Sequence, residues 1–431
     1  MSANNRILYS CQAVKIVESG KADDPSASGT VHGVQSIGMT TSFNLEQAFE
    51  LGQIEIYENI EGTPDIEVTL EKVIDGYPLI YLMASTGVVG SDASGLLARS
   101  KERCDLSLGI FGEEFDNVAA ATDNSGNAEV EVRCTGMYIS SVSYSIPVDG
   151  NCTESVTLVG NDKKWLHANK GTVNFTNTDV TLLDGLDDPQ ALAAGRNSVH
   201  TASGGIQRRE DVLMQFAVMP KSIYPMPTGD PAYGNAWNDT DPNDQKPLIH
   251  LQNVSISTDF SRDDVLELGR KSPYYRPANF PVEVSCEIEA IATSGDFVEA
   301  AEIGDPKLFL TKDSGNNTSE ERIWIPLRCG ICFDLGGKNR LSSVTYGGGD
   351  ATGGNVSNTY SYSNFNDFDV TQLGHNHTDV MGTGGTVLPI GLRGAPYSWD
   401  NVGVVTSWQY EGLNDRKYGI KEDPDQDGTP G

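Results

Sequence analysis

Val34–Gly52 reads VQSIGMTTSFNLEQAFELG, and Leu251–Gly269 reads LQNVSISTDFSRDDVLELG. The two stretches align over nineteen positions without a gap. Six positions are identical: Gln35/Gln252, Thr41/Thr258, Phe43/Phe260, Glu50/Glu267, Leu51/Leu268 and Gly52/Gly269. Apolar residues at 37, 39 and 43, and at 254, 256 and 260, alternate with polar ones as in a half-buried strand. Asn44 and Ser261 then stand where a helix N-cap is expected. Acidic residues follow in what would be the first turn (Glu46; Asp263, Asp264), where they favour the helix dipole. Gly52 and Gly269 suit a C-cap with positive φ. Each stretch is therefore expected to run from a strand into a short helix of about two turns.

The parallel extends outward in both directions. Downstream, Pro64–Leu70 (PDIEVTL) alternates at Ile66, Val68 and Leu70, and Pro281–Cys286 (PVEVSC) does so at Val282, Val284 and Cys286. Ile139–Tyr144 (ISSVSY) matches Leu341–Tyr346 (LSSVTY), and each leads through a glycine-bearing turn and a second strand to an Asn-Asp pair, Asn161-Asp162 and Asn366-Asp367. These blocks predict a β-hairpin with a long tip. Upstream, a first strand (7–17; 212–219) precedes a polar excursion rich in Gly, Pro, Asp and Ser (20–29; 225–247). Four blocks recurring in one order imply duplication. The expected architecture is mainly β: two tandem β-sandwich units, each with a short flanking helix and a long hairpin. Unit 1 spans 1–169 and unit 2 spans 210–431 with a polar C-terminal tail. Residues 170–209 form a linker or reaching arm, longer than an ordinary connection.

Composition restricts the functions open to such a chain. Its 431 residues suffice for two or three domains, and 46 glycines with 20 prolines imply many turns. Sixty acidic against 30 basic residues leave a formal charge of −30, which repels a phosphate backbone and disfavours ordinary nucleic-acid binding. No apolar run of about 18 residues exists, so no membrane-spanning helix is expected. The N-terminus MSANNR lacks the charged n-region of a signal peptide. Seven scattered cysteines, at 11, 104, 134, 152, 286, 329 and 332, suit a chain made in a reducing cytosol.

Candidate chemical sites are sparse. Cys329-Gly330-Ile331-Cys332 is a lone C-x-x-C without the second pair of a zinc ribbon, and reads as incidental thiols. His375 and His377, with Asp379 nearby, could approach a metal, but lie in a Gly/Asn/Thr-rich stretch that reads as a polar loop. Asp423, Asp425 and Asp427 begin a D-x-D-x-D-G calcium-loop pattern; Gly431 follows before any closing glutamate, and a solvated acidic tail is expected. Gly347–Gly349 and Gly353-Gly354 have no Gly-Lys-Ser/Thr after them and suit a hairpin tip. Arg208-Arg209, beside Glu210 and Asp211, is expected to donate salt bridges. No catalytic set is evident; no catalytic, cofactor-binding or metal-binding residue is assigned, and no cofactor is expected.

The blocks within Gly38–Gly76 and Ile139–Trp165, with Ser203–Glu210 (SGGIQRRE), resemble the tail tube proteins of long-tailed bacteriophages, over about half of the chain. The resemblance implies a small β-sandwich with one flanking helix. It also implies six-fold rings whose long hairpins line a β-barrel lumen, stacked into a tail that conducts double-stranded DNA. Two units per chain would make a trimer pseudo-six-fold, with a hexamer as the alternative. The implied partners are further copies and other tail proteins. The implied place is the virion tail, after synthesis in the bacterial host cytoplasm, with no enzymatic role and no membrane anchor. An acidic lumen would let DNA slide without sticking. Other readings are a tail terminator or decoration protein, or a carbohydrate-binding or carbohydrate-hydrolysing β-sandwich.

Overall fold

The computed structural model describes residues 6–24, 29–75, 78–85, 95–112, 128–167, 206–212, 250–292, 323–327, 331–336, 338–347 and 355–372, with 171, 173, 175, 223, 381–382 and 386–387. Among these the chain is mainly β, with very little helix. Strand β1 is Gln12–Glu18, β2 Val34–Phe49 and β3 Ile56–Val73. Two short helices follow, α1 at Ile80–Ala84 and α2 at Leu96–Arg99. Strands β4 (Cys104–Ile110), β5 (Val130–Pro147), β6 (Thr153–Gly160) and β7 (Asp162–His167) complete the first half. The second half holds β8 (Leu251–Asp259), β9 (Glu283–Ile291), β10 (Trp324–Pro326), β11 (Ile331–Asp334), β12 (Arg340–Gly347), β13 (Ser357–Phe365) and β14 (Asp369–Gln372).

Eight strands form one antiparallel path in the order β12-β13-β9-β8-β5-β6-β3-β2. It divides into two four-stranded sets of the same internal order, β5-β6-β3-β2 and β12-β13-β9-β8. Their registers agree. Thr41 faces Ile66 as Thr258 faces Val284; Val68 faces Leu158 as Cys286 faces Tyr362; Val142 faces Val156 as Val344 faces Tyr360. Both sets even carry a β-bulge at the same place, between Ile139 and Ser141 and between Leu341 and Ser343. The ladder corrects one detail of the sequence alignment. Ile66 corresponds to Val284 rather than Val282, because the connection before it is longer in the second set.

The helices expected after Asn44 and Ser261 are not there. β2 continues as a strand to Phe49, and Ala48 faces Glu58 in the ladder with β3. Asn44 does not cap; its Nδ2 donates across the hairpin to Thr63 O and Asp65 Oδ2 at 3.1 and 2.9 Å. A two-turn helix is marginal in isolation, and here a long neighbouring strand supplies more backbone hydrogen bonds. Ser261 stands at φ 42 with its N–H on Asp259 Oδ1 at 2.8 Å. The chain beyond returns through a bridge between Val265 and Tyr275. Gly52 and Gly269 do have positive φ, 94 and 87. At Gly52 the need is a tight turn closed by Gln53 N–H on Glu50 O, not a helix end.

Helix instead forms at Ile80–Ala84, where all five residues are buried. Its first N–H groups meet a carboxylate from another strand: Glu154 accepts from Ile80 N and Tyr81 N at 2.6 and 3.1 Å, and from Tyr144 Oη at 3.0 Å. Burial raises the Glu154 pKa against these bonds. Both expected hairpins form, β5–β6 and β12–β13, but the tip of the first is short. The β5–β6 connection spans only Val148–Cys152, and the long hairpin is β2–β3. The β12–β13 tip includes Gly348, Gly349, Gly353 and Gly354, which lie outside the described residues.

A second layer covers the inner face. β5 is long enough to serve both layers: its first half pairs with β4 and β7, its second with β6 and β8. Its counterpart in the second half is broken into β11 and β12 by Leu335–Asn339, and β11 lies between β10 and β14. One apolar cluster joins both halves, from Val14 and Leu106 through Val68 and Ile139 to Cys286, Phe333 and Val370. The Phe333 ring of the second half packs tilted against Tyr144 of the first, with centroids 4.4 Å apart.

Candidate assembly surface

Period-two alternation gives the eight-stranded path one apolar and one polar face. Cross-strand register identifies the polar face residue by residue. Thr40 faces Glu67, and Gly38 faces Thr69. Thr69 faces Thr157 and Glu71 faces Ser155. Ser143 faces Ser257, Ser145 faces Ser255, and Ser141 faces Asp259. Ser255 faces Glu287 and Asn253 faces Glu289; Glu287 faces Ser361 and Glu289 faces Thr359. The charges along these rows are carboxylates: Asp65, Glu67, Glu71, Asp259, Glu283, Glu287 and Glu289. Among the described strand residues of this face, the one cation is Arg340, opposite Ser363 where β12 begins. Short hydroxyl contacts, Thr69–Thr157 at 3.4 Å and Ser257–Ser285 at 3.2 Å, keep this face low.

The junction between the two sets is β5 with β8, seven residue pairs from Ser141↔Asp259 to Pro147↔Asn253. Its apolar side is fully covered: Tyr144, Ile146, Val254 and Ile256 are buried. Beyond the ladder, the segment after β8 folds over the first half and is fixed by two arginines. Arg262 donates to Ile139 O, Arg276 O and Ser100 O at 2.5, 2.7 and 2.8 Å, with its guanidinium 4.8 Å from the Tyr138 ring centre. Burial brings its pKa down to about 10, so it stays charged at neutral pH. Arg276 Nη2 donates to Asp65 Oδ1 at 2.7 Å and Asp264 Oδ2 at 3.0 Å. Burial works against ionisation of Asp65. Hydrogen bonds from Asn44 and Arg276, the Arg276 charge and a bond from Asn161 outweigh it and hold the carboxyl below its usual value.

The two ends of the path are different. β2 pairs with β3 and β12 with β13, and among the described residues neither has a strand on its other side. Their apolar residues are under-covered relative to their counterparts. Phe43 is 70% exposed where Phe260 is 0%, and Tyr346 is 53% exposed where Tyr144 is 1%. Ile37, Met39, Leu341 and Val344 are half-buried where Val254, Ile256, Ile139 and Val142 are buried. The β2–β3 arm also exposes Leu45, Phe49, Leu51, Ile54 and Tyr57. Exposed strand edges with uncovered apolar rows are association surfaces unless blocked.

The residues singled out for metal or redox chemistry fall mostly outside the described residues: His375, His377, Asp379, Asp423, Asp425, Asp427 and Cys329. Cys332 is buried in β11, and no group of three or more His, Cys, Asp or Glu among the described residues could hold a metal ion. Arg208 Nε donates to Asn151 Oδ1 at 3.1 Å, at the tip of the β5–β6 hairpin. Gln207 is buried there, bonded through its backbone to Ile74 and Cys152. That β2 and β12 end as open edges was missed from sequence because the strand beside a strand is not a local property.

No protein-family model matches the chain, and no curated protein matches it. Solved structures with partial overlap include the anti-feeding prophage cap (AFP tube terminating cap), at 11% identity over 39% of this chain and 95% of that one, TM-score 0.27. The sheath-tube complex of an extracellular contractile injection system, PVC, overlaps at 10% identity over 38% and 95%, TM-score 0.27. Hcp1 from Flavobacterium johnsoniae overlaps at 12% identity over 36% and 98%, TM-score 0.17. At TM-scores this low the overlap identifies neither family nor role.

Proposed function

We propose that this chain is a structural, non-enzymatic subunit that joins through its open sheet edges into rings, stacked as the tail tube of a phage-like particle. The observation that carries this reading is the eight-stranded path itself. A β2-type edge already meets a β5-type edge inside the chain, and one edge of each type is left open. Such unlike edges make head-to-tail contacts, which close into a ring when the rotation permits. Residues 1–169 and 210–431 act as the two ring units, with 170–209 joining them.

Three chains would supply six similar units and three times the eight strands of this path. At a strand spacing of ~4.8 Å and a tilt of ~40°, that number closes a barrel with a backbone diameter of roughly 50 Å, ample for a DNA duplex. The polar face turned inward presents hydroxyls and carboxylates. It would repel phosphates over about a Debye length, ~8 Å at physiological salt, so the duplex passes without adhering. Assembly would occur in the bacterial host cytoplasm, and the product would reside in the virion tail.

Electron microscopy of the purified chain tests this reading. Stacked rings or tubes with an open lumen are expected, and the mass of an isolated ring separates three copies from six. Dispersed single chains at every concentration would overturn it.

A further inference from the structure

The junction inside one chain also specifies the junction between chains. We infer that β2 of one copy pairs antiparallel with β12 of the next, with Met39 opposite Tyr346, Thr40 opposite Thr345, Thr41 opposite Val344 and Ser42 opposite Ser343. This rests on the ring reading above and fixes the partner and register of its interface.

The argument is a transfer of register. Inside the chain Tyr144 faces Ile256, Ser143 faces Ser257, Val142 faces Thr258 and Ser141 faces Asp259. The ladders within each set make β2 the counterpart of β8 and β12 the counterpart of β5, bulge included. Substituting counterpart for counterpart gives the four pairs. The alternation is then consistent across the seam, because Met39, Thr41, Val344 and Tyr346 share the apolar side while Thr40, Ser42, Ser343 and Thr345 share the polar side. A slip of one residue would turn the half-buried row of β2 onto the polar face of its neighbour. Gly38 would meet Gly347, and nothing lies within 4 Å of the position a Cβ would take at Gly38.

Charge agrees with the same geometry. The arm from 44 to 63 carries Glu46, Glu50, Glu55, Glu58 and Glu61 and no lysine or arginine. Lys338 and Arg340, both exposed, stand at the start of β12. The corresponding segment of the second half, 261–280, carries Arg262, Arg270, Lys271 and Arg276 beside Asp263, Asp264 and Glu267. Arg262 and Arg276 bind the first half. The arm presented to a neighbour is thus wholly acidic where the segment already satisfied is mixed.

Disulfide trapping tests the register in the full chain. The six described cysteines are buried, and with Cys329→Ser in every variant the cysteines placed on the polar side are the ones that react. Thr40→Cys combined with Thr345→Cys places the two Cβ atoms about 5 Å apart, and Thr40→Cys with Ser343→Cys about 7–8 Å apart. Under mild oxidation the first variant should link into covalent oligomers at least tenfold more completely than the second, reversibly on reduction. Ring formation is read separately on the reduced proteins by microscopy and mass. Rings in which the second variant links as well as the first would overturn the register and leave the ring intact. Absence of both rings and links in either variant would overturn both.

Discussion

The β5·β8 junction and the open edges of β2 and β12 are built from corresponding residues, yet one is finished and the other is not. At the inner junction Phe260, Ile256 and Tyr144 are buried, and Arg262 and Arg276 reach across to fix the segment that follows. At the outer edges Phe43, Met39 and Tyr346 keep much of their surface in water, and the arm beyond β2 stands away as a hairpin with apolar side chains exposed. The difference teaches that burial here is a property of having a neighbouring strand, not of the residue. Phe43 and Phe260 are the same amino acid in matching sequence, and only one has something to pack against. Covering half of a tyrosine side chain is worth on the order of 2 kcal/mol, so completing the outer edges offers a real driving force.

The largest effect expected is at the inner junction. Phe260→Ala should cost about 3–5 kcal/mol of folding stability, read as a fall in urea midpoint, because it opens a cavity in a closed core. Tyr346→Asp attacks the outer edge instead. It should leave the single chain's circular dichroism and urea midpoint nearly unchanged, yet reduce assembly at least a hundredfold, since ring closure would bury an unpaired carboxylate. Equal loss of folding in both variants would erase the distinction between the two junctions.

Arg276→Ala should cost roughly 1–2 kcal/mol, since it removes a mostly buried guanidinium whose two carboxylate partners are partly solvated; chemical denaturation measures it. The same contact gives a pH dependence. The Asp65 carboxyl is held below its unfolded value, so its stabilisation is present above about pH 4, the ordinary carboxylate range. It is lost as pH falls through the lower folded value. Acid titration of wild type and Arg276→Ala should therefore converge below that range. The smallest effect is Phe43→Ala, the exact sequence counterpart of Phe260→Ala, with a change within ~0.5 kcal/mol in the isolated chain. A loss comparable to Phe260→Ala would mean the arm already packs against its own chain.

Much of this fold was legible. The alternating runs became buried strand positions at Ile66–Leu70 and at Val284 and Cys286, with Val282 buried just before β9, and ISSVSY and LSSVTY became matching strands down to a shared bulge. The helices after Asn44 and Ser261 were misread because NLEQAFELG places Leu45, Phe49 and its acids at helical spacing, while β3 offers a ladder that local propensity does not see. Helix α1 was missed for the reverse reason. PLIYLMA is apolar all round and carries no period, and its N-terminal cap, Glu154, lies more than seventy residues away.

The sequence by itself determined duplication, β character and an excess of carboxylates, because each is written in local pattern and composition. Tertiary structure alone decided that the two halves share one sheet, that β8 lies on β5, and that β2 and β12 are left as edges. Strand neighbours are chosen by hydrogen bonds and packing between distant segments, and no local stretch encodes its own partner. That choice is also what separates Phe43 from Phe260.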